Sequence, residues 1–102
     1  MTDPQRDPLK GTCRQQTPEQ IAAKVKLVLL TVKANGGSHK RGDTEVVCAG
    51  RFFGTPSPQG EARNFVTRAL EQGLLEIVVQ NEDPNLCVLS LTEAGRALLA
   101  QA

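Results

Sequence analysis

The fold is decided by residues 54–101, GTPSPQGEARNFVTRALEQGLLEIVVQNEDPNLCVLSLTEAGRALLAQ. Within this stretch, five apolar residues follow the spacing of one buried helical stripe: Ala62, Phe65, Val66, Ala69 and Leu70. Ser57 is a cap residue, Pro58 suits the first helical position, and Gly73 supplies the left-handed residue that ends helices. The pattern predicts a helix over residues 58–72.

Two apolar runs follow this helix, Leu74–Val79 and Leu86–Leu89. The segment between them, residues 80–85, is rich in turn formers, so the two runs predict a β-hairpin. Ser90 and Thr92 then offer caps for a last helix, with Glu93 three residues after Ser90 as in a capping box.

This succession resembles a known fold. VTRALEQGLLE, a polar hairpin and LSLTEAGRALL are similar to the second half of a winged helix-turn-helix domain, most of all in MarR-type bacterial regulators. The resemblance implies an α+β, mainly helical fold with a three-helix core, a two-stranded wing hairpin and a C-terminal helix. It also implies that residues 58–72 form the recognition helix and that such regulators dimerise through their terminal helices.

The preceding part of the chain contains a second strong helix signal. Thr17, Pro18 and Gln20 form a capping-box start, and Asn35 with two glycines marks an end near Ala34. This helix has one apolar stripe at Ile21, Val25, Val28, Leu29 and Val32, and a second at Ala23, Leu27, Leu30 and Ala34. The second stripe predicts either a homodimer contact through the first and last helices or cover by the C-terminal helix of the same chain.

Residues 38–53 carry mixed signals of secondary structure. Ser38–Asp43, SHKRGD, predicts a polar loop. Thr44–Phe53 has strand propensity in its Val and Phe residues and contains Gly50, which disfavours a helix. Asp43 and Thr44 are nevertheless cap types, Gly54 is a natural stop, and the segment stands where the resemblance places the first helix of the helix-turn-helix. We therefore expect a helix here.

Length and charge indicate the domain organisation of the chain and where it could attract phosphate. The chain of 102 residues has a net charge of +1, and its charge is uneven: residues 73–102 hold one Lys or Arg against four acids. One domain over residues 17–102 is expected, preceded by a disordered arm over residues 1–16. The arm carries Arg6, Lys10 and Arg14, which could reach a minor groove, although a terminus without a role is the simpler expectation.

The predicted recognition helix carries side chains that suit duplex DNA. Arg binds guanine, and Asn or Gln binds adenine, in the major groove. The expected base-reading set is Gln59, Arg63, Asn64 and Thr67. The expected phosphate contacts are Arg68, the helix start at Ser57, and the pair Lys40 and Arg41. A polar face is also what any amphipathic surface helix shows, so the order of elements is what favours DNA.

The predicted wing departs from this picture. Its tip, residues 81–85, carries two acids and no base, and an acidic tip within ~10 Å of phosphates would be repelled. Either the wing stays away from DNA or the domain has another role. The alternative function is a winged-helix module for protein–protein interaction, which needs no positive charge.

The sequence contains no catalytic constellation. His39 is the only histidine and has no nucleophile or acid at a recognisable spacing, and Cys13, Cys48 and Cys87 lack metal-finger spacing. We therefore expect no enzyme activity, no cofactor and no metal. Cys48 and Cys87 lie in apolar runs and are expected in the core, with a redox-sensing thiol as the minor alternative. Three scattered cysteines and the lack of a signal peptide or apolar span indicate a reduced cytoplasmic setting.

Overall fold

The computed structural model describes residues 17–52 and 57–101. These residues form four α-helices and a three-stranded antiparallel sheet, so the protein is α+β and mainly helical, as predicted. The elements in chain order are α1 (Pro18–Ala34), β1 (Ser38–Lys40), α2 (Arg41–Ala49), α3 (Pro58–Glu71), β2 (Leu75–Val79), a 3-10 turn (Pro84–Leu86), β3 (Val88–Leu91) and α4 (Glu93–Ala100). The expected arm, residues 1–16, lies outside the described residues.

Helix α1 has the predicted bounds. The Thr17 hydroxyl accepts from the backbone N–H of Gln20 at 3.2 Å, and the Gln20 side chain accepts from the Thr17 N–H at 2.8 Å. This reciprocal pair satisfies two amides that a helix start otherwise leaves unbonded. The helix ends at Ala34, and its C-cap Asn35 is followed by two glycines with positive φ, Gly36 at 83° and Gly37 at 89°.

The predicted loop over residues 38–43 is wrong. Ser38–Lys40 form a short edge strand, and the sheet order is β1-β3-β2. Ser38 pairs with Ser90 and Lys40 with Val88. The strand forms because β3 offers its second edge to the backbone that leaves α1, and main-chain hydrogen bonds need no particular side chain. The predicted two-stranded hairpin is thus part of a larger sheet.

Helix α2 exists as expected, but its bounds differ from residues 44–53. It begins at Arg41, because β1 delivers the chain directly into the helix, and it ends at Ala49. Thr44 is therefore not a cap. It lies inside the first turns, where its hydroxyl donates to the Lys40 carbonyl at 2.8 Å. Phe52, after the helix, is buried in the core.

Helix α3 and its end match the prediction closely. The Ser57 hydroxyl accepts from the Gly60 N–H at 3.3 Å, and Pro58 occupies the first turn. The helix closes at Glu71, with Gln72 as its C-cap and Gly73 at φ 73°. A left-handed residue at this position lets the chain turn back into β2.

The hairpin strands are displaced from their predicted bounds. Leu86 lies in the 3-10 turn instead of β3, and β3 continues to Leu91. The capping box at Ser90 and Glu93 is wrong because Ser90 belongs to that strand. Thr92 is the cap of α4: its hydroxyl accepts from the Gly95 N–H at 3.1 Å and donates to the Gly73 carbonyl at 2.6 Å.

The glycine of the LTEAGR segment, Gly95, lies where two parts of the backbone approach each other closely. A Cβ at this position would lie 2.2 Å from the carbonyl oxygen of Leu74, and the residue is buried. Only a glycine lets α4 approach the turn between α3 and β2 so closely. Together with Thr92, it joins the last helix to the end of α3.

The core lies between the helices and the inner face of the sheet. Its buried members include Val28, Leu29 and Val32 of α1, Cys48 of α2, Phe65 and Val66 of α3, and Leu89 and Leu91 of β3. Both described cysteines, Cys48 and Cys87, are buried as predicted.

The core also holds an ion pair. Lys24 of α1 and Glu61 of α3 are 0% and 3% exposed, and Nζ lies 2.6 Å from a carboxylate oxygen. The ammonium group also lies 5.1 Å from the ring centroid of Phe52 and 5.6 Å from that of Phe65. The pair connects the first helix to the predicted recognition helix.

The second apolar stripe of α1 is only partly covered. Leu27 packs against the core, and α1 and α4 are in contact. Leu30 remains 42% exposed and Ala34 is exposed. An apolar groove of about 520 Å³ also opens between α1 and α4, lined among others by Ile21, Ala22 and Leu98. Cover by α4 is therefore partial, and the homodimer contact stays a prediction.

Candidate nucleic-acid interface

Helix α3 has two chemically distinct faces. Ala62, Phe65, Val66 and Ala69 are buried against the other helices, as the stripe predicts. The opposite face is exposed at four of the predicted site residues: Gln59, Arg63, Asn64 and Arg68. Thr67 is half-buried. An exposed polar face on a well-capped helix can enter a groove without any change in the core.

The N-terminus of α3 is occupied by its own cap. The Ser57 hydroxyl bonds the Gly60 amide, and a Cβ at residue 60 would lie 2.7 Å from that hydroxyl oxygen. Gly60 therefore makes room for the cap. Any phosphate at this end of the helix has to bind the other amides of the first turn.

Arg63 is an exposed cation on this face. Its side chain is 67% exposed, and its Nε lies 3.8 Å from Oε1 of Glu45 on α2. The contact uses the side of the guanidinium nearest the chain. Its two terminal nitrogens form the edge that makes bidentate bonds to guanine or phosphate.

Arg41 is not an open cation. Its Nε donates to Oε2 of Glu45 at 2.9 Å, its Nη2 donates to the Thr67 hydroxyl at 2.9 Å, and its side chain is 16% exposed. Thr67, expected to read a base, is thus held by a residue expected to bind phosphate. The structure brings Arg41, Arg63 and Thr67 together around one buried carboxylate.

Lys40 and Arg68 lie on either side of this cluster along the chain. Lys40 ends β1 and is exposed at the start of α2. The Thr44 hydroxyl donates its proton to the Lys40 carbonyl. Because that proton is used, Nδ1 of His39 is the donor in its own hydrogen bond to the Thr44 hydroxyl, at 2.8 Å. The guanidinium of Arg68 lies 5.8 Å from the ring centroid of Phe65, which restricts its movement while its outer edge stays exposed.

The tip of the hairpin lies against α2. A Cβ at Gly42 would lie 2.9 Å from the Cβ of Asn85, and the Arg41 N–H donates to the Cys87 carbonyl at 2.8 Å. A cleft of about 430 Å³ is lined by Arg41, Glu45, Arg63, Pro84 and Asn85. Glu82 and Asp83 immediately precede Pro84 in the sequence. The two acids therefore adjoin a residue that lines the same cleft as Arg63.

Glu45 belongs to this site and was not predicted from the sequence. It is 6% exposed and shares the buried side of α2 with Thr44 and Cys48. Its spacing of four residues from Arg41 was the available signal, because such pairs adjoin on a helix. The long-range partner, Arg63, has no signal in the sequence, since it depends on how α2 crosses α3.

The two described cysteines are both buried. Burial raises the pKa of the Cys48 thiol above its ordinary value of 9.0, a hydrogen bond between this thiol and the Thr31 hydroxyl lowers it, and the Glu45 charge raises it again. A raised pKa disfavours the reactive thiolate. Among residues 17–52 and 57–101, no group of three or more His, Cys, Asp or Glu side chains could hold a metal ion.

Comparison with protein-family models, curated proteins and solved structures gives no match to this chain. In the described part of the chain, no helix is both long enough and apolar enough to cross a bilayer.

Proposed function

We propose that this protein is a winged-helix DNA-binding protein, a homodimeric transcriptional regulator of the cytoplasm that resembles MarR-type regulators. The observation that carries the proposal is the exposed polar face of α3, where Arg63, Asn64 and Gln59 extend from a helix whose other face is buried. Arg and Asn are the side chains that distinguish guanine and adenine in a major groove.

The arrangement of elements supports this role. Helix α2 packs against α3, and the hairpin follows α3 and returns beside α2. Residues 50–57 separate the two helices, a longer connection than the three or four residues of a simple helix-turn-helix. The order of the described helices and strands is compatible with a winged helix and supports the proposal.

The charges favour a binding mode centred on α3. In this mode Gln59, Arg63 and Asn64 reach base edges, while Arg68, Lys40 and the start of α3 at Ser57 contact phosphates. Arg41 and Thr67 contribute by supporting Arg63 through their bonds to each other and to Glu45. The acidic hairpin tip adjoins the cleft beside Arg63, so in this mode the phosphates have to pass clear of Glu82 and Asp83, since like charges repel.

The dimer is proposed to form through α1 and α4. Leu30 is 42% exposed on α1, and the groove between α1 and α4 is lined by residues of both helices. A two-fold axis there would present two copies of α3 to half-sites about 34 Å apart on a pseudo-palindrome. Sedimentation equilibrium measures the oligomeric state, and a monomer at micromolar concentration would contradict this part of the proposal.

The test is duplex binding by matched arginine variants. Fluorescence anisotropy with a site selected from random duplexes should show binding that weakens as salt rises. Arg63→Ala should lose about 1–3 kcal/mol of binding to the selected site and lose preference at one base pair. Arg96→Ala, an exposed arginine on α4, removes the same charge and should retain that preference. A folded wild-type protein without affinity for any duplex at low salt would contradict the proposal.

A second candidate is a protein-interaction module. Five large apolar side chains are 45–59% exposed on α2, β2 and the 3-10 turn: Val46, Val47, Val78, Val79 and Leu86. Exposed apolar side chains on neighbouring elements are typical of partner surfaces. Retention on heparin or on random duplex at low salt separates the two functions, because the interaction module needs no affinity for phosphate.

A further inference from the structure

Glu45 is a buried carboxylate placed in the middle of the proposed DNA-binding surface. Its side chain is 8% exposed, and α2 carries it to the point where that helix crosses α3. A negative charge near phosphates weakens DNA binding, and a buried charge costs folding free energy unless it is paired. Its presence at this position therefore needs a compensating role.

The two oxygens of Glu45 hold two different arginines. Oε2 accepts from Nε of Arg41 at 2.9 Å, and Oε1 lies 3.8 Å from Nε of Arg63. Arg41 is further fixed by its bond to Thr67. The carboxylate is thus hydrogen-bonded to Arg41 on one side, and on the other side it forms a longer ion pair with a side chain that is 67% exposed.

This contact is made through Nε of a side chain that is 67% exposed, so the terminal edge of the Arg63 guanidinium is accessible to a ligand. That edge is the one that bonds the O6 and N7 atoms of guanine. An unrestrained arginine on a surface instead samples many rotamers and binds phosphates, which carry no sequence information.

We propose that Glu45 is a positioning residue that holds Arg63 for base recognition and keeps it from the phosphate backbone. This inference rests on the proposed function. It predicts that Glu45 increases the preference for a specific site, although its charge lowers the affinity for DNA in general.

The experiment uses the full chain and a site selected by the wild-type protein from random duplexes. The measured quantity is the ratio of Kd for random duplex to Kd for the selected site. E45Q should lower this ratio about fivefold or more, with the loss confined to the base pair at which R63A also loses preference. D43N removes the same charge from an exposed position on α2 and should leave the ratio unchanged.

A double-mutant cycle separates positioning from a general structural effect. Combining E45Q with R63A should lower the ratio no further than R63A alone, because the two residues act through one contact. An equal loss from E45Q in both backgrounds would overturn the proposal. If E45Q does not fold, E45D keeps the charge but withdraws the carboxylate, and it should reduce the ratio in the same direction.

A measurement without DNA makes the two levels of failure distinguishable. The NMR signal of the Arg63 Nε–H group should change in E45Q and stay constant in D43N. An unchanged signal in E45Q would overturn the positioning role while leaving DNA binding intact. A wild-type protein that binds no duplex would overturn the proposed function, and the base-reading role of Arg63 with it.

Discussion

Two buried carboxylates, Glu61 and Glu45, meet cations in opposite ways. Glu61 on α3 pairs with Lys24, which is 0% exposed and lies near two aromatic rings. Glu45 on α2 pairs with Arg41 and Arg63, which are 16% and 67% exposed. The first pair is closed inside the core, whereas the second leads outward to the surface proposed to bind DNA.

The difference lies in what each pair can do. A closed pair can only hold helices together, and it does so at a desolvation cost that its Coulombic attraction must offset. In the open cluster, the contact between Glu45 and Arg63 is screened by water and contributes little to folding, but Arg63 stays available to a ligand. We therefore expect removal of Lys24 to affect stability most, removal of the half-buried Arg41 to affect stability less, and removal of Arg63 to affect binding.

The largest expected effect comes from breaking the closed pair. Lys24→Met should lower the free energy of unfolding by about 3–5 kcal/mol, because Glu61 stays buried without its lysine. Urea denaturation measures this change. Lys26→Met, an exposed lysine two residues away, is the matched control. The double variant Lys24→Met, Glu61→Leu should recover most of the loss, and its failure to do so would show that the pair has a role beyond charge compensation.

The capping signals explain why so much of the fold could be predicted from the sequence. Thr17 with Gln20 at one helix and Ser57 with Gly73 at another are local patterns, and local hydrogen bonds set those ends. Strand β1 could not be predicted because SHK has no strand propensity and pairs only because β3 lies beside it.

The candidate site was predictable to a similar extent. Helical periodicity alone places Arg63, Asn64 and Arg68 on the exposed face of α3. It cannot show that Arg41 bonds Thr67 across 26 residues, or that Lys24 is buried, since both depend on tertiary packing. Lys24 does lie one turn before Val28, in line with the apolar stripe, and a lysine there is the one local sign of a buried partner.

The second-largest expected effect concerns Arg41, which is the more buried of the two arginines that contact Glu45. Arg41→Ala should cost about 2–3 kcal/mol of stability, less than Lys24→Met, because Glu45 loses its main partner at a partly solvated position. It should also weaken specific DNA binding through loss of support for Arg63. Denaturation and anisotropy report the two effects. A stability loss as large as that of Lys24→Met would mean that the cluster is as closed as the core pair.

Arg68 differs from Lys24, Arg41 and Arg63 because it contacts an aromatic ring instead of a carboxylate. Arg68 lies over Phe65, so it is restrained without losing positive charge to a neighbour. Arg68→Ala should weaken binding to all duplex sequences and reduce the slope of log K against log salt by about 1. Stability should change by less than about 0.5 kcal/mol. A change in base preference would instead assign Arg68 to the base-reading set.

The smallest expected effect concerns the influence of the Glu45 charge on the pKa of the buried Cys48 thiol. Burial is the main cause that raises the pKa of the Cys48 thiol above 9.0, and the Glu45 charge adds to it. Since the folded-state pKa exceeds that of the unfolded chain, the contribution of Cys48 to stability is complete below about pH 9 and is lost as pH rises through the folded-state pKa.

Glu45→Gln should lower the pKa of Cys48 slightly, yet leave it above 9.0 because burial persists. Titration of the Cys48 ¹³Cβ chemical shift measures this pKa directly. Asp43→Asn, which removes the same charge from the same helix, should leave it unchanged. An unchanged pKa in Glu45→Gln would mean that the Glu45 charge is compensated fully by its two arginines. The cluster would then be as electrically closed as Lys24 and Glu61, and the contrast between the two pairs would reduce to the exposure of Arg63 alone.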